Sequence, residues 1–378
     1  MKIIVNLFFL LICLVSCTAV ENHDSIEKEV EHNDILASFI MDQWTFEGTR
    51  LQLFLHAVVP DPIGLTFEIL EAPDWVHISN KGTRASILMD APMGAEGEYN
   101  ISIAIKQNNK TTHRKFILEV QKRYEKVLFV DPVNGKKTND GSEAAPLATI
   151  PDFSTMKEEK GALLVLLKSG VYETLNINHN PFLTLAIQPL SGHEVIFKGA
   201  EIDSCTNVSI RSCTFIAHPD MTRIACVEIG SAATKIHLEN IHIQSDLKTE
   251  QWRFDDWKQK SKSGIYNYGK SVFVSNSLID NVFHGLENKA TQFNFYYNIV
   301  DRFAGDALRN TGSHCVFSYN MLKNALIADY AAPDGNHDDL YQSWTFDEPI
   351  VDVILSHNIA IDIADKDLKL AAKIIGVL

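Results

Sequence analysis

The sequence predicts an all-β protein with two domains, an N-terminal β-sandwich and a larger parallel β-helix with about 22 residues per coil. Short runs of alternating apolar and polar residues fill residues 40–122, and an asparagine-centred phrase recurs at a fixed spacing further along the chain. The hydrophobic content of 46% is high enough for two cores, and the 378-residue length suits two domains.

The first 16 residues are typical of a secretory signal peptide, because one lysine precedes about a dozen apolar residues. This segment is too short for a working transmembrane helix. The segment Leu14-Val15-Ser16-Cys17, at the end of this stretch, resembles the bacterial lipoprotein box. The resemblance implies a lipid on Cys17 and anchoring to a membrane at the cell surface or in the periplasm. An ordinary signal peptide is the alternative. We interpret the acidic residues of 17–39 as a tether.

The formal net charge of −14 argues against general nucleic-acid binding and gives no overall attraction for an acidic polysaccharide. Any affinity for a polyanion must therefore be local. The cysteines of the mature domains show no metal-binding spacing, and we expect them to be small residues of the core. They are Cys205, Cys213, Cys226 and Cys315. A disulfide among Cys205, Cys213 and Cys226 is the alternative.

Residues 40–122 contain five strand candidates separated by turn residues: LQLFLHAVV, LTFEIL, ASILMD, YNISIAI and RKFILEVQ. This pattern is typical of a β-sandwich. The stretches APDWVHIS and GAEGEYNISIAI resemble the immunoglobulin-like or cadherin-like modules found ahead of bacterial extracellular enzymes. The resemblance implies a spacer or a weak binder, and we assign no chemistry to this domain.

Residues 126–378 form the predicted β-helix. Its first segment, LFVDPVNGKKTNDGSEAAPLATI, resembles that of secreted right-handed parallel β-helix proteins. Asn276, Asn298 and Asn320 recur in similar phrases at spacings of 22 and 22, and the phrase returns at Asn358 after 38 residues. Asn240 lies 36 residues before Asn276. A period of 22 fits one coil of a single-stranded solenoid, and stacked asparagine amides can hydrogen-bond between coils.

A second set of strands precedes the asparagine phrases: SGIYN, HGLEN, DALRN and DDLYQ. We aligned them on a column of core residues, Ile265, Leu286, Leu308 and Leu340. Since strand side chains alternate and coils lie about 4.8 Å apart, the next column forms an outward strip. This strip contains Tyr266, Glu287, Arg309 and Tyr341, with Asp339 on the same side. The column after it predicts a second amide ladder of Asn267, Asn288, Asn310 and Gln342. Two positions before the core lie Ser263, His284, Asp306 and Asp338, which point inward unless the chain bends.

Two insertions interrupt the repeat. The segment ALIADYAAPDGNH precedes the fourth strand and lies on the side of the strip, where a long loop is expected to carry function. Its end brings His337, Asp338, Asp339 and Trp344 to the edge of the predicted site. The other insertion, WRFDDW, either borders this site or packs as a flap over a strand. A plain ion pair is the alternative reading of Glu287 and Arg309.

The segments GDALRN, CVFSYNMLKN and GNHDDLYQSW resemble the pectate-lyase-like β-helix superfamily, and within it bacterial secreted proteins with Gly-Asp-x-Leu/Ile-Arg and Asn-His-Asp-Asp-x-x-Gln-Ser signatures. The resemblance covers residues 127–362 and implies processing of polysaccharides, mostly those containing uronic acids. Related chains continue for further coils, so the resemblance also implies truncation at the C-terminus. The last residues, DKDLKLAAKIIGVL, are expected to form a capping helix.

Arg309 and the resemblance together favour a polysaccharide lyase acting by β-elimination on a uronic-acid-containing glycan. Arg309 can neutralise a uronate carboxylate, and His337 or Tyr341 can serve as base or acid, with Lys289 and Lys323 as further candidates. Three aspartates on or beside the strip could instead bind Ca²⁺ or supply the paired carboxyls of a glycoside hydrolase. These are Asp306, Asp338 and Asp339. A non-catalytic glycan-binding lipoprotein is the third alternative.

Substrate binding is expected from the polar and aromatic residues around these candidates: Glu287, Tyr266, Lys289, Gln342 and Trp344. Tyrosine and tryptophan rings can stack on sugars. We expect a monomer whose partners are an acidic polysaccharide and, through the lipid on Cys17, a membrane.

Overall fold

The computed structural model describes residues 35–361, apart from gaps at 60, 157–159, 179–182, 218–223, 247, 250–251, 253, 327–338 and 346–347. The signal peptide, Cys17 and the first part of the predicted tether lie outside the described residues, as does the predicted C-terminal cap. Within the described part of the chain, no helix has the length and apolar character needed to cross a membrane.

The N-terminal domain is a β-sandwich of two sheets, with the strand orders β1-β3-β6-β5 and β2-β8-β7-β4. The five strands predicted from sequence correspond to β3, β4, β6, β7 and β8. The strands are β1 Leu36–Ala37, β2 Gln43–Phe46, β3 Arg50–Val58, β4 Thr66–Glu71, β5 Val76–Lys81, β6 Arg84–Asp90, β7 Gly97–Gln107 and β8 Lys110–Gln121. Strand β1 lies inside the segment predicted as tether, where Leu36 pairs with Val58.

Alternation along the strands places the sandwich core between the two sheets. In β3, Leu51, Leu53 and Leu55 are at most 1% exposed, and they share one cluster with Ile103 and Leu118 of the opposite sheet. The polar residues of β3 lie on the other face of the same sheet.

The second domain is a parallel β-helix whose strands form three sheets, S1, S2 and S3, visited in that order by each coil. S1 contains β9 Lys126–Val130, β10 Gly161–Leu167, β13 Leu183–Pro189, β16 Thr206–Arg211, β19 Thr234–Glu239, β22 Lys270–Ser275, β25 Phe293–Tyr296, β28 Cys315–Ser318 and β31 Val353–Ser356. S2 contains β11 Gly170–Tyr172, β14 Val195–Phe197, β17 Thr214–Ile216, β20 His242–Gln244, β23 Leu278–Val282, β26 Ile299–Phe303, β29 Met321–Ala325 and β32 Ile359–Ile361. S3 contains β12 Leu175–Ile177, β15 Ala200–Ile202, β18 Ala225–Ile229, β21 Ser263–Asn267, β24 Leu286–Asn288, β27 Leu308–Asn310 and β30 Tyr341–Ser343. A 3₁₀ turn spans Phe153–Thr155, and one short helix, α1, spans Phe254–Lys260.

Apolar side chains in register stack through the interior of the β-helix. One column of S1 runs through fully buried positions: Val165, Ile187, Ile210, Leu238, Val274, Phe295 and Phe317. The four cysteines of this domain are buried and unpaired, and burial raises the pKa of each thiol. The prediction of small core cysteines is therefore confirmed.

An asparagine ladder lies at the turn from S1 to S2. The backbone N and Nδ2 of Asn298 donate to Oδ1 of Asn320 at 2.9 and 3.3 Å, and the same atoms of Asn320 donate to Oδ1 of Asn358, each at 3.0 Å. A second ladder links Asn267, Asn288 and Asn310 at 2.8 and 2.7 Å. The repeat therefore predicted the contacts among Asn298, Asn320 and Asn358 and those of the second ladder. It was wrong for Asn276, because Ser277 takes the ladder position in that coil and its backbone N donates to Oδ1 of Asn298 at 3.0 Å.

Strand β30 differs from the prediction by one residue. Leu308 faces Tyr341 rather than Leu340, so Gln342 lies beside Arg309. Tyr341 turns towards the interior, where its ring centroid lies 5.7 Å from that of Phe317. Both Leu340 and Tyr341 are apolar enough to occupy this column, and the tyrosine ring occupies it. The predicted outward position of Tyr341 is therefore wrong. The place of Gln342 in the amide ladder is also wrong, because Ser343 faces Asn310.

The sandwich packs directly on the β-helix. Nε2 of Gln188 in S1 donates to Oγ1 of Thr45 and of Thr49 at 2.7 and 3.0 Å, and to the carbonyl of Arg50 at 2.9 Å. Phe54 joins an apolar cluster with Ile299 of S2. The sandwich is therefore an integral part of the folded chain, which differs from the expectation of a spacer.

Candidate functional site

The candidate site lies on the outer face of S3, beside the turn from S2 to S3. This turn is short in the coils of β24 and β27, and it is long in the coils before and after them, at residues 245–262 and 326–340. Two insertions therefore border two short turns at one corner of the β-helix.

The first insertion is a packing flap. Trp252 and Trp257 meet edge to face with ring centroids 5.0 Å apart, and they are 8% and 2% exposed. They form an apolar cluster with Ala304, Leu326 and Phe283 of the neighbouring turns. Of the two interpretations of this insertion, the structure favours the flap, because the tryptophan rings are buried against protein.

The predicted outward column is present in the three coils of β21, β24 and β27. Tyr266 faces Glu287, and Glu287 faces Arg309. In the fourth coil Gln342 continues the column in place of Tyr341. We call these four residues the S3 strip.

Arg309 is oriented by two carboxylates. Its Nε donates to Oδ2 of Asp306, and its Nη1 lies 3.8 Å from Oε2 of Glu287. The guanidinium carbon lies 5.7 Å from the ring centroid of Trp344. The Arg309 side chain retains 23% exposure, so part of its charge faces solvent in a fixed orientation.

Asp306 lies beneath the strip rather than on it. Its side chain is fully buried, and Oδ1 accepts a hydrogen bond from the backbone N of Asp339 at 2.9 Å. Burial raises its pKa, although the Asp339 N–H and Arg309 oppose the increase. Asp306 therefore positions Arg309 from beneath the strip, and its predicted catalytic role stays a prediction.

His284 supports Asp306 from the adjacent coil. Its Nδ1 accepts a hydrogen bond from the backbone N of Asp306 at 2.8 Å, so a neutral imidazole carries its proton on Nε2. Burial lowers the pKa of His284 to about 3, and the charge of Arg309 contributes. A Cβ at Gly305 would lie 2.5 Å from this imidazole, which explains the glycine before Asp306.

Glu287 is a partly buried carboxyl on the strip. Ser263 Oγ donates to its Oε1 at 3.3 Å. Burial raises the pKa of Glu287, while Arg309 and Lys289 oppose the increase. Glu287 therefore keeps a proton to higher pH than an ordinary glutamate, as a general acid requires.

Lys289 is held between two tyrosines. Its Nζ donates to the hydroxyl of Tyr266 and lies 4.8 and 5.7 Å from the ring centroids of Tyr266 and Tyr268. The two hydroxyls are 2.9 Å apart. Burial lowers the pKa of Lys289, but the hydrogen bond to Tyr266 and the neighbouring groups produce a net increase. Sequence reasoning missed Tyr268, although it lies two residues after Tyr266 on the same side of the chain.

Other predicted residues lie elsewhere. His337 and Asp338 are outside the described residues. Lys323 lies on S2 under the sandwich, where it is 2% exposed and 3.6 Å from Asp301, so it takes no part in this site. Among the residues that the structure describes, no three histidine, cysteine or carboxylate side chains are placed to hold a metal ion.

No family model and no curated protein matches this chain. Among solved structures, a pectin methylesterase in complex with a hexasaccharide aligns over 64% of this chain and 67% of its own, with 13% identity and a TM-score of 0.36. The pectin methylesterase PemA from Erwinia chrysanthemi aligns over 65% and 94%, with 12% identity and a TM-score of 0.32. An endo-fucoidan hydrolase of glycoside hydrolase family 107 aligns over 23% of this chain but only 13% of its own length, with 13% identity and a TM-score of 0.21. We therefore base the assignment of function on the residues of this chain.

Proposed function

We propose that this protein processes polysaccharides on the S3 strip, most specifically as a lyase acting on a uronic-acid-containing glycan. The observation that carries the proposal is the partly exposed, oriented guanidinium of Arg309, one coil away from Glu287 and two from Tyr266. A positive group at a fixed place can neutralise a sugar carboxylate.

The strip also offers groups for the proton transfers of β-elimination. In this reaction the proton on C5 is removed, the bond between C4 and the leaving oxygen breaks, a C4–C5 double bond forms, and the leaving oxygen gains a proton. Arg309 stabilises the charge that develops on the carboxylate after C5 deprotonation. In the proposed step the phenolic oxygen of Tyr266, held by Lys289, accepts the proton from C5, and Glu287 gives its proton to the leaving oxygen. His337 stays a proposed participant from the second insertion.

The arrangement suits a chain-like anionic ligand. Residues of the strip follow one another from coil to coil at about 4.8 Å, and the rings of Tyr266, Tyr268 and Trp344 lie beside the two cations. Lys289 and Arg309, each beside an aromatic ring, attract an anionic polysaccharide locally, whereas the overall charge of −14 does not.

A glycoside hydrolase is the second candidate, because Glu287 has the raised pKa of a general acid. Its partner carboxylate would be Asp339, since Asp306 is buried. A glycan-binding protein without catalysis is the third.

The test is to incubate the mature protein, from residue 18, with a panel of acidic and neutral polysaccharides, with and without Ca²⁺. Ultraviolet absorbance of an unsaturated product and the formation of reducing ends are followed together. We expect absorbance and reducing ends to rise in parallel, and both to be lost in Arg309→Gln and strongly reduced in Tyr266→Phe.

Tyr296→Phe is the matched control, because this tyrosine lies on S1, where its hydroxyl donates to Oδ1 of Asn294 at 3.2 Å. Its activity should equal that of the unmodified protein. Reducing ends without absorbance would replace the lyase by the hydrolase. Retention of the protein in a polysaccharide-containing gel, without any product, would support the third candidate, a glycan-binding protein without catalysis.

Anchoring through a lipid on Cys17 is a separate proposal. We expect the full-length protein to partition with membranes when produced in a bacterial host, and Cys17→Ser to be released into the soluble fraction.

A further inference from the structure

The sandwich contacts the β-helix through one face of strand β3. Its odd-numbered residues fill the sandwich core, while the even-numbered ones face S1 and S2. The backbone N of Gln52 donates to Oγ of Ser212 at 3.1 Å, and the ring of Phe54 lies 5.3 Å from that of His242. Both faces of β3 are therefore covered, one by the sandwich and one by the β-helix.

Next to these contacts lies a buried cluster of charges. Arg84 of β6 donates from Nη2 to Asp301 at 2.6 Å and from Nη1 to Asp280 at 3.0 Å. Lys323 lies 3.6 Å from the Asp301 carboxylate, and His242 Nε2 lies 2.8 Å from Asp280. The cluster joins strand β6 of the sandwich to four neighbouring strands of S2.

His56 of β3 lies beside these charges and is almost completely buried. It is 1% exposed, its Nδ1 lies 3.6 Å from Oδ2 of Asp301, and among the described residues this atom has no hydrogen-bond partner. Lys323 and Arg84 are already paired with Asp301, and His242 lies nearby on β20. A proton on His56 would therefore add a third positive group around one buried aspartate.

We infer that His56 makes the docking of the sandwich on S2 sensitive to acid, so that the interface opens more often in mildly acidic solution while both domains stay folded. Opening exposes the imidazole to water, where it can take up a proton. The docked state excludes that proton, and mass action then favours opening.

The direction follows from proton linkage. Burial, Lys323, Arg84 and His242 hold the pKa of His56 well below its ordinary value of 6.5 in the docked state. The open state binds the proton below that value, so docking is fully stable above it and weakens as the pH falls. Asp280, whose pKa is lowered from 3.8, weakens docking only in stronger acid. The range between about pH 6.5 and pH 4.5 therefore separates the protonation of histidine from that of Asp280.

Hydrogen exchange can measure this opening, because some amides are protected only across the interface. The backbone N of Ser191 donates to the carbonyl of Gly48 at 3.0 Å, that of Gly192 to Oδ1 of Asp90 at 2.6 Å, and that of Gln52 to Ser212. After correction for intrinsic exchange, we expect their opening constant to rise up to about tenfold per pH unit in this range. Amides of β7 and β10, which lie inside their own sheets, should show no such rise.

Three variants of the full chain separate His56 from other histidines. His56→Gln should abolish the pH dependence, while His237→Gln, an exposed residue on S1, should retain it. His193, beside Gly192, also has a pKa lowered first by burial, so His193→Gln tests its share and should retain most of the dependence. An opening constant that does not change with pH, or an unchanged slope in His56→Gln, overturns the proposal. Should His56→Gln not fold, imidazole NMR of the unmodified protein decides: a neutral His56 at about pH 5 supports it, and a protonated one refutes it.

Discussion

The outer faces of S2 and S3 carry similar residues but have opposite environments. On S2, Asp280, Asp301 and Lys323 follow one another in register and lie beneath the sandwich. On S3, Glu287 and Arg309 follow one another in register and stay partly open. The buried column satisfies its charges within the protein, whereas the open column retains capacity for a ligand. A charged column is therefore a structural or a functional feature according to what covers it.

The largest expected effect lies on the covered face. Asp301→Asn leaves Lys323 and Arg84 without their shared carboxylate in a buried place, and we expect a loss of about 3–5 kcal/mol in the free energy of unfolding. Glu287→Gln on the open face should change it by about 1 kcal/mol or less. Urea denaturation of both variants provides the comparison. Equal losses would show that the two faces do not differ as described.

The next effect concerns the carboxylate buried under S3. Arg309→Met removes the cation that contacts Asp306 and should destabilise the fold by about 1–3 kcal/mol. The double variant Asp306→Asn with Arg309→Met should recover part of this loss, because no charge remains uncompensated. Additive losses in the double-mutant cycle would mean that the pair does not interact.

A smaller effect should distinguish the two faces by the sign of their pH dependence. Burial raises the pKa of Glu287 above 4.5, so its contribution to stability is fully present below that value and is lost as the pH rises through the folded pKa. His56 contributes in the opposite direction. We expect Glu287→Gln to change unfolding free energies by up to about 1 kcal/mol between pH 4.5 and pH 7. An unchanged pH profile would contradict the raised pKa.

The smallest stability effect is expected for two lysines that lie next to S3 strands. Lys289→Met and Lys198→Met should each lower the melting temperature only slightly, corresponding to about 0.5 kcal/mol, because both side chains are partly exposed. Lys198 lies several coils away and pairs with Glu173. Only Lys289→Met should abolish polysaccharide processing. Equal activity in the two variants would exclude Lys289 from the site.

The repeat in the sequence predicted much of the β-helix. Asn298 and Asn320 are polar residues at a fixed period, and only coil-to-coil hydrogen bonding satisfies them in a buried place. The same alignment brought Tyr266, Glu287 and Arg309 together. It failed at Tyr341, because the preceding insertion breaks the count and two adjacent apolar residues compete for one interior column.

The packing of the two domains against each other could not be predicted from the sequence pattern. The run Arg50–Val58 alternates polar and apolar residues, which normally indicates one solvated face. Here His56 is buried by residues more than two hundred positions away. Asp306 differs, because strand alternation predicted an inward position for it and the residue is fully buried.

The corner between S2 and S3 differs from the corner between S1 and S2 in how much chain it can accommodate. At the turn from S1 to S2, two residues separate the described strands in all coils but one, as at 276–277 and 319–320, and five residues, 190–194, separate β13 from β14. The turn from S2 to S3 varies more, from two residues at 173–174 and three at 283–285 to the long segment 245–262, while the strands stay in register. The turn from S1 to S2 therefore keeps a nearly constant length along the β-helix, whereas the turn from S2 to S3 accepts loops of different lengths. Grafting new segments at 283–285 would be a direct route to altered substrate preference on an unchanged frame.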